Sequence, residues 1–401
     1  MPIKHLITPL LASLLLTCAA GAHAQSQSQA VDRYGYKPPP QKKAATKKKE
    51  EAKPAPAPKA GTDYVGEYVN FGEWKEVQTF LDGVASRNNF DRKELDAVMA
   101  QVRYLDSVVQ LVKPAPPGKP KNWQAYRALN VDPVRISAGV RFWNENADAL
   151  ARAESLYGVP AEIIVAIVGV ETVYGRITGR FRVLDTLATL AFAYPESPSR
   201  AARMDYFKSE LEAALLFARA DGLDPLSMRG SYAGAMGMPQ FMPSSAMKYA
   251  VDFDGSGKID LLGSSADVVG SVASFLAAHG WQRNVTGPIA YPVKVSPNRA
   301  WEPLLQQGLT AKYTPQDLTA AGVVPTVALP EQNRYGLVDL QNGGDATEYW
   351  AANANFFAIT QYNRSYFYAM SVVDLGQAIK SARASATVTP AASAASGNTG
   401  P

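Results

Sequence analysis

The 401-residue sequence predicts a mainly α-helical fold with a small β insertion. Three observations predict it. Apolar residues recur at helical spacing through most of residues 75–220. Helix-start signals precede those runs: Asp91, the pair Asp132-Pro133, and Pro160. Alternating apolar texture broken by Pro and Gly is confined to about residues 285–350.

Residues 1–24 read as a secretory signal. Lys4 supplies the positive end, Leu6 to Ala20 an apolar stretch, and Ala22-His23-Ala24 a small-x-small cleavage pattern. Cys18 invites a lipid anchor, but Thr17 precedes it where a lipobox carries Gly, Ala or Ser. The reading is therefore a soluble exported protein, with a lipid-anchored one as the alternative. Residues 25–62, rich in Pro, Ala and Lys, read as a disordered linker. They act as a plain spacer or as a loose tether to an anionic envelope or membrane surface.

The net charge of +4 is a property of this tail. Residues 25–62 hold nine Lys/Arg against three Asp/Glu, and the leader holds only Lys4. The rest has 30 bases and 33 acids, so a nucleic-acid-binding core is not implied. Cys18, His5 and His23 all lie in the leader. Thiol catalysis, disulfides and Cys-based zinc sites are excluded from the mature chain. His279, in AAHGW, reads as a helix cap or packing residue. Carboxylates must then carry most acid–base chemistry.

Residues 63–130 form an N-terminal helical sub-domain. Val77, Phe80, Leu81 and Val84 mark one helix. Asp91 with Glu94 opens a second as a capping box running to about Val102. LDSVVQLV, the break KPAPPGKP and a helix from Trp123 follow. Residues 131–284 form the core, opening with a helical block over 133–157.

The decisive stretch is PAEIIVAIVGVETVYG, 160–175. It is apolar on nearly every face, so it belongs inside the fold. It is too short to span a bilayer. Glu171 sits at its end, where desolvation favours the protonated form and general-acid work. The alternative is a buried Glu paired with Arg176, Arg180 or Arg182. Glu162, in the first turn, reads as a surface partner of the helix dipole.

Helices over 183–194 and 200–220 precede GSYAGAMGMPQFMPSS, 230–245. Three Gly and two Pro break this loop, Ser231, Tyr232 and Gln240 offer hydrogen bonds, and four Met/Phe residues give a soft wall. It reads as a binding wall. Asp252-Phe253-Asp254-Gly255-Ser256-Gly257-Lys258-Ile259-Asp260 follows. Its oxygen donors and Gly resemble an EF-hand calcium loop, with Asp252, Asp254, Ser256, Lys258 and Asp260 as ligands. Gly263 stands where the bidentate Glu belongs, so Asp267 is expected to supply that carboxylate. Weak affinity is expected; the other reading is a metal-free Asp/Gly turn. A helix over 267–279 comes next. Residues 285–350 form the β sub-domain, with a hairpin at Asn342–Asp345. Residues 351–380 return to helix, and 381–401 read as a disordered tail.

Five motifs in one order resemble the B-type membrane-bound lytic murein transglycosylases: VGVETVYG, the 230–245 loop, the Asp252 loop, SVASFLAAHGW and NFFAITQYNRSYFYAM. The similarity covers roughly residues 70–380. It implies a lysozyme-like helical core and cleavage of the β-1,4 bond between N-acetylmuramic acid and N-acetylglucosamine in peptidoglycan. The product is a 1,6-anhydromuramoyl end. It implies Glu171 as the catalytic acid, then base. Ser231, Gln240, Tyr362, Asn363, Tyr368 and Tyr126 would be sugar-contacting positions, in a monomer of the periplasm. Phe275 departs from the family's frequent Tyr, and Thr17 before Cys18 departs from the lipobox of its membrane attachment. The motifs show no second carboxylate, which fits an intramolecular attack rather than the usual pair. A non-catalytic peptidoglycan-binding protein and a hydrolysing muramidase are the rival readings.

Overall fold

A computed structural model describes residues 71–113 and 120–388. The signal-like leader, the linker, the KPAPPGKP break and the end of the tail lie at least partly outside them. The chain opens with α1 (Lys75–Asn88), α2 (Arg92–Met99) and α3 (Asp106–Val112). Then come α4 (Trp123–Asn130), α5 (Pro133–Glu145), α6 (Ala147–Tyr157) and α7 (Ala161–Thr172). A two-residue strand β1 (Phe181–Arg182) leads into α8 (Val183–Phe192) and α9 (Arg200–Ala220), and β2 (Arg229–Gly230) returns beside β1. The core continues with α10 (Pro243–Tyr249) and α11 (Ser265–Ala278).

The insertion is a four-stranded antiparallel sheet: β3 (Ala290–Val295), β4 (Val323–Pro325), β5 (Tyr335–Asn342) and β6 (Asp345–Asn353). Their spatial order is β4-β3-β6-β5. In register, Val293 faces Tyr349 and Val338 faces Trp350. A short helix α12 (Pro315–Ala320) lies between β3 and β4. The sheet has its own core of Tyr291, Trp301, Leu318, Tyr335 and Leu337. The chain then closes with α13 (Ala354–Tyr362) and α14 (Tyr366–Val388).

Helix α7 is the axis of the large core: every residue from Ile163 to Thr172 is buried. That matches its uniform apolarity, since only a helix enclosed on all sides can hide such a surface. Gly376 of α14 faces the carbonyl of Glu162, and a Cβ there would stand 2.9 Å from it. Glycine therefore sets the close approach of these two helices. Glu162 is half-buried and pairs with Lys380 at 2.7 Å, rather than standing alone at the surface.

Several boundaries differ from expectation. The 133–157 block breaks at Asn146, whose amide and side chain both bond the Phe142 carbonyl. The last helical stretch breaks at Asn363, which is extended. Asp91 caps α2 through the Lys93 N–H at 2.7 Å. The full capping box forms instead at Thr314 and Asp317. Helix α14 continues to Val388, beyond the boundary expected at residue 380. Among the described residues, no single helix is long and apolar enough to cross a membrane.

Candidate active site

The site is built where α7 ends. Glu171 lies in its last turn with 1% of its surface exposed. The chain then leaves through three successive left-handed residues: Val173 at φ 52°, Tyr174 at φ 59° and Gly175 at φ 82°. A β-branched residue in this region is strained, and such strain persists only where the surroundings over-determine it. Here they do. The Tyr174 hydroxyl donates to the Arg135 carbonyl at 3.2 Å, and its ring packs on Phe142. Gly139 and Gly169 leave the slot for that ring, since a Cβ on either would collide with the phenol oxygen. Burial drives the Tyr174 phenol far above its ordinary pKa, so it stays a neutral donor.

The 230–245 loop is tied to this helix end. Thr172 Oγ1 donates to the Met238 carbonyl at 2.9 Å and accepts the Gly175 N–H at 3.0 Å. Gln240 Nε2 donates to the carbonyls of Thr178 and Gly237, each at 3.0 Å. The Tyr362 hydroxyl donates to the Pro239 carbonyl at 2.7 Å. Ser231 Oγ accepts the N–H groups of Ala233 and Ala235, closing the loop's first turn. Ser231 and Gln240 are thus buried and engaged in shaping the loop. The Gln240 Oε1 atom is buried without a hydrogen bond among the described residues.

Tyr362 and Asn363 line a cavity of about 390 Å³ together with Tyr194, Arg203, Tyr232 and Met242. The Tyr362 ring stacks on Tyr368 with centroids 6.3 Å apart and tilts against Phe275 at 4.7 Å. Phe275 in turn stacks on His279 at 3.9 Å, and His279 Nδ1 contacts the Phe275 carbonyl at the end of α11. Tyr368 is 2% exposed and forms the buried layer behind Tyr362. Tyr126 is packed with Trp123 and Phe367, and does not line this cavity. Tyr194, Arg203 and Tyr206 join the cavity wall from α9 and the segment before it, with no sequence signal of their own.

Four acids are buried among the described residues: Glu171, Asp185, Glu210 and Asp267. Arg182 pairs with Asp185 at 2.6 Å, which commits that arginine away from Glu171. Glu210, unremarked in the sequence, accepts the Ser244 N–H at 2.9 Å and the Ser244 hydroxyl at 2.7 Å, bracing the start of α10. Asp267 accepts the N–H groups of Phe253, Asp254 and Asp260.

Asp267 also joins Asp252 and Asp254 in a cluster whose ligand atoms lie within 4.8 Å of one another. The Ser264 hydroxyl, first among several hydrogen bonds, holds the Asp254 carboxyl below its ordinary pKa. Asp260 is outside this cluster; its carboxylate turns back onto the N–H groups of Leu262 and Gly263. Ser256 Oγ donates to the Lys258 carbonyl at 3.2 Å, and neither belongs to the acidic cluster.

Residues 72–377 match the family model described as Transglycosylase SLT domain. The chain is 43% identical over 323 residues to membrane-bound lytic murein transglycosylase B of Escherichia coli K12, covering 78% of this chain and 85% of that protein. Soluble lytic transglycosylase SltB1 of Pseudomonas aeruginosa matches in structure with a TM-score of 0.70 and 41% identity, over 77% of this chain and 99% of that one. The E. coli lytic transglycosylase Slt35, solved with calcium and with bulgecin A, matches with a TM-score of 0.68 and 42% identity, over 79% and 95%. The helical body is accordingly lysozyme-like, and the chain belongs to the SLT-domain lytic murein transglycosylases.

Proposed function

We propose that Glu171 carries both proton transfers of peptidoglycan cleavage by this lytic transglycosylase. As the acid it protonates the glycosidic oxygen between N-acetylmuramic acid and N-acetylglucosamine, and the C1–O bond breaks. As the resulting carboxylate it takes the proton of the muramoyl C6 hydroxyl, whose oxygen bonds to C1. The 1,6-anhydro ring closes and no water is consumed. A hydroxyl held in the same sugar has a large proximity advantage over solvent. The observation that carries this reading is the fate of the other buried acids. Asp185, Glu210 and Asp267 are each committed to an arginine, a hydroxyl or backbone N–H groups. A mechanism needing one carboxylate fits this arrangement.

Tyr362 and Asn363 present an aromatic face and an amide to the cavity, which suits an acetamido sugar. Gln240 Oε1 offers an acceptor that a sugar N–H or hydroxyl would complete. Ser231 and Tyr368 act by holding the loop and the Tyr362 ring. Tyr126 supports that end of the fold through Trp123 and Phe367.

Calcium fits the Asp252, Asp254 and Asp267 cluster, because hard carboxylate oxygens are its preferred donors. Bound there, it would offset two of the three negative charges and pin the loop to α11. The leader-like residues 1–24 support export to the periplasm, and Thr17 before Cys18 favours a soluble enzyme over a lipid-anchored one. Mass spectrometry of digested sacculi tests the function. Anhydro ends, one water lighter than reducing ends, are expected; reducing ends would instead identify a hydrolysing muramidase.

A further inference from the structure

A second cavity, of about 370 Å³, is lined by Arg103, Arg180, Arg182 and Arg229, with Asp185 as the one acid in its wall. That acid is already engaged. Its Oδ1 accepts the Arg103 backbone N–H at 3.0 Å and Arg182 Nη2 at 2.6 Å, and its Oδ2 accepts Arg182 Nε at 2.8 Å. Arg182 also donates to the Gln101 carbonyl, so the floor of the cavity is a closed structural network. Arg180 and Arg229 are exposed at its mouth, and among the described residues neither has an ion-pair partner.

The strand register adds an independent observation. Arg182 and Arg229 stand directly opposite each other across the β1–β2 ribbon. Like charges in directly opposed positions destabilise a strand pair. Asp185 offsets the Arg182 charge, so the exposed guanidiniums of Arg229 and Arg180 at the cavity mouth are the ones placed to receive negative charge. The ribbon also touches the sugar-binding loop. Gly179, at φ 96°, is packed so close to Gly230 and Ser231 that any Cβ would overlap their backbone. Ser231 is the residue whose hydroxyl closes the first turn of that loop.

We propose that this arginine cavity is an anion subsite for the carboxylates of peptidoglycan stem peptides. The inference rests on peptidoglycan being the substrate. Muramic acid carries its peptide as a side branch, so a glycan lying along the loop would project carboxylates away from the sugar path. Guanidinium forks match carboxylates in geometry as well as charge.

The test uses the R180Q/R229Q double variant, which leaves the Arg182–Asp185 network intact. Initial rates are measured on two substrates: glycan strands bearing stem peptides, and strands stripped of them by an amidase. Thermal melting monitors the fold. The variant should raise KM for stemmed strands by roughly tenfold, the scale of lost charge-assisted contacts. It should leave stripped strands unchanged, and R180K/R229K should recover part of the loss. Wild-type preference for stemmed strands should weaken with added salt. Unchanged rates on both substrates, or equal losses on both, overturn the subsite. Failure of the wild type to cleave either substrate would instead overturn the function on which it rests.

Discussion

The Thr172 hydroxyl donates to the Met238 carbonyl at 2.9 Å, one residue beyond Glu171. It joins the end of the buried helix to the loop that Tyr362 grips one position later, at Pro239. Two consecutive carbonyls thus tie the acid-bearing helix and the aromatic cavity wall to the same stretch of loop. Thr172→Val keeps the shape and removes the hydroxyl. The Gly175 N–H and the Met238 carbonyl then both lose a partner, which costs about 1–3 kcal/mol. The variant should melt earlier, and kcat should fall more than KM rises. A Thr172→Ser variant, which restores the hydroxyl, should recover most of kcat.

Glu171→Gln removes the transferable proton and leaves the shape. Loss of general acid–base catalysis alone removes about 10²–10⁴ in rate. Because both proton transfers are assigned to Glu171, cleavage should be abolished within detection. Binding of sacculi, measured by sedimentation, should persist. Normal turnover by this variant would end the single-acid mechanism.

Gly169→Ala tests how the helix exit is held. A methyl group at residue 169 would meet the Tyr174 phenol, which Gly139 confines from the other side. Overpacking of this kind costs about 1–3 kcal/mol. The predicted result is a lower melting temperature with a matching loss of activity, because the strained 173–175 turn depends on the seated Tyr174 ring. Tyr174→Phe leaves Gly169 in place and removes only the phenol oxygen with its bond to the Arg135 carbonyl, so it should cost less.

The acidic loop is tested by calcium and by acid. With calcium at about a hundredfold its Kd, binding to the folded state alone adds ~2.7 kcal/mol, so chelation should lower the melting temperature. Asp267→Asn should remove that response. The pH dependence has a defined sign. Asp254 has a folded pKa below its unfolded one, because the Ser264 hydroxyl and neighbouring groups bond its charged form. Its contribution is present above the unfolded value and is lost as pH falls through the folded one. Ser264→Ala should move the Asp254 titration, followed by carboxyl NMR, toward the ordinary value.

Features carried by contiguous sequence were legible in it. Glu171 stands out because the helix before it is apolar on nearly every face, and the Asp252 loop carries its spacing in nine residues. Helix breaks at Asn146 and Asn363 were not legible, since an asparagine can continue a helix or leave it, and tertiary packing decides. Arg203 and Tyr206 were invisible for another reason. They sit on a 21-residue helix whose exposed face carries many polar residues, and only the fold shows that this part of it borders Tyr362 and Asn363.

Glu210 was missed on the same helix, and it offers the sharpest control on the mechanism. It is buried to 3% exposure, and a second buried carboxylate is what an ordinary glycosidase pair would require. Its geometry assigns it another task. Both oxygens are held by Ser244, one by the backbone N–H and one by the hydroxyl, at the first turn of α10. Helix starts leave such N–H groups without intrahelical acceptors, and Met242, at the cap position, has no side chain that caps them. Glu210 therefore does from α9 what a capping Asp does locally. Glu210→Gln keeps one acceptor and loses the charge, so stability should fall by about 0.5–2 kcal/mol, the range for a lost cap. Cleavage should continue, with kcat reduced in proportion to the folded fraction. If Glu210→Gln instead stopped cleavage in a protein with an unchanged melting temperature, the reaction would need two carboxylates, and the products should be examined for reducing ends.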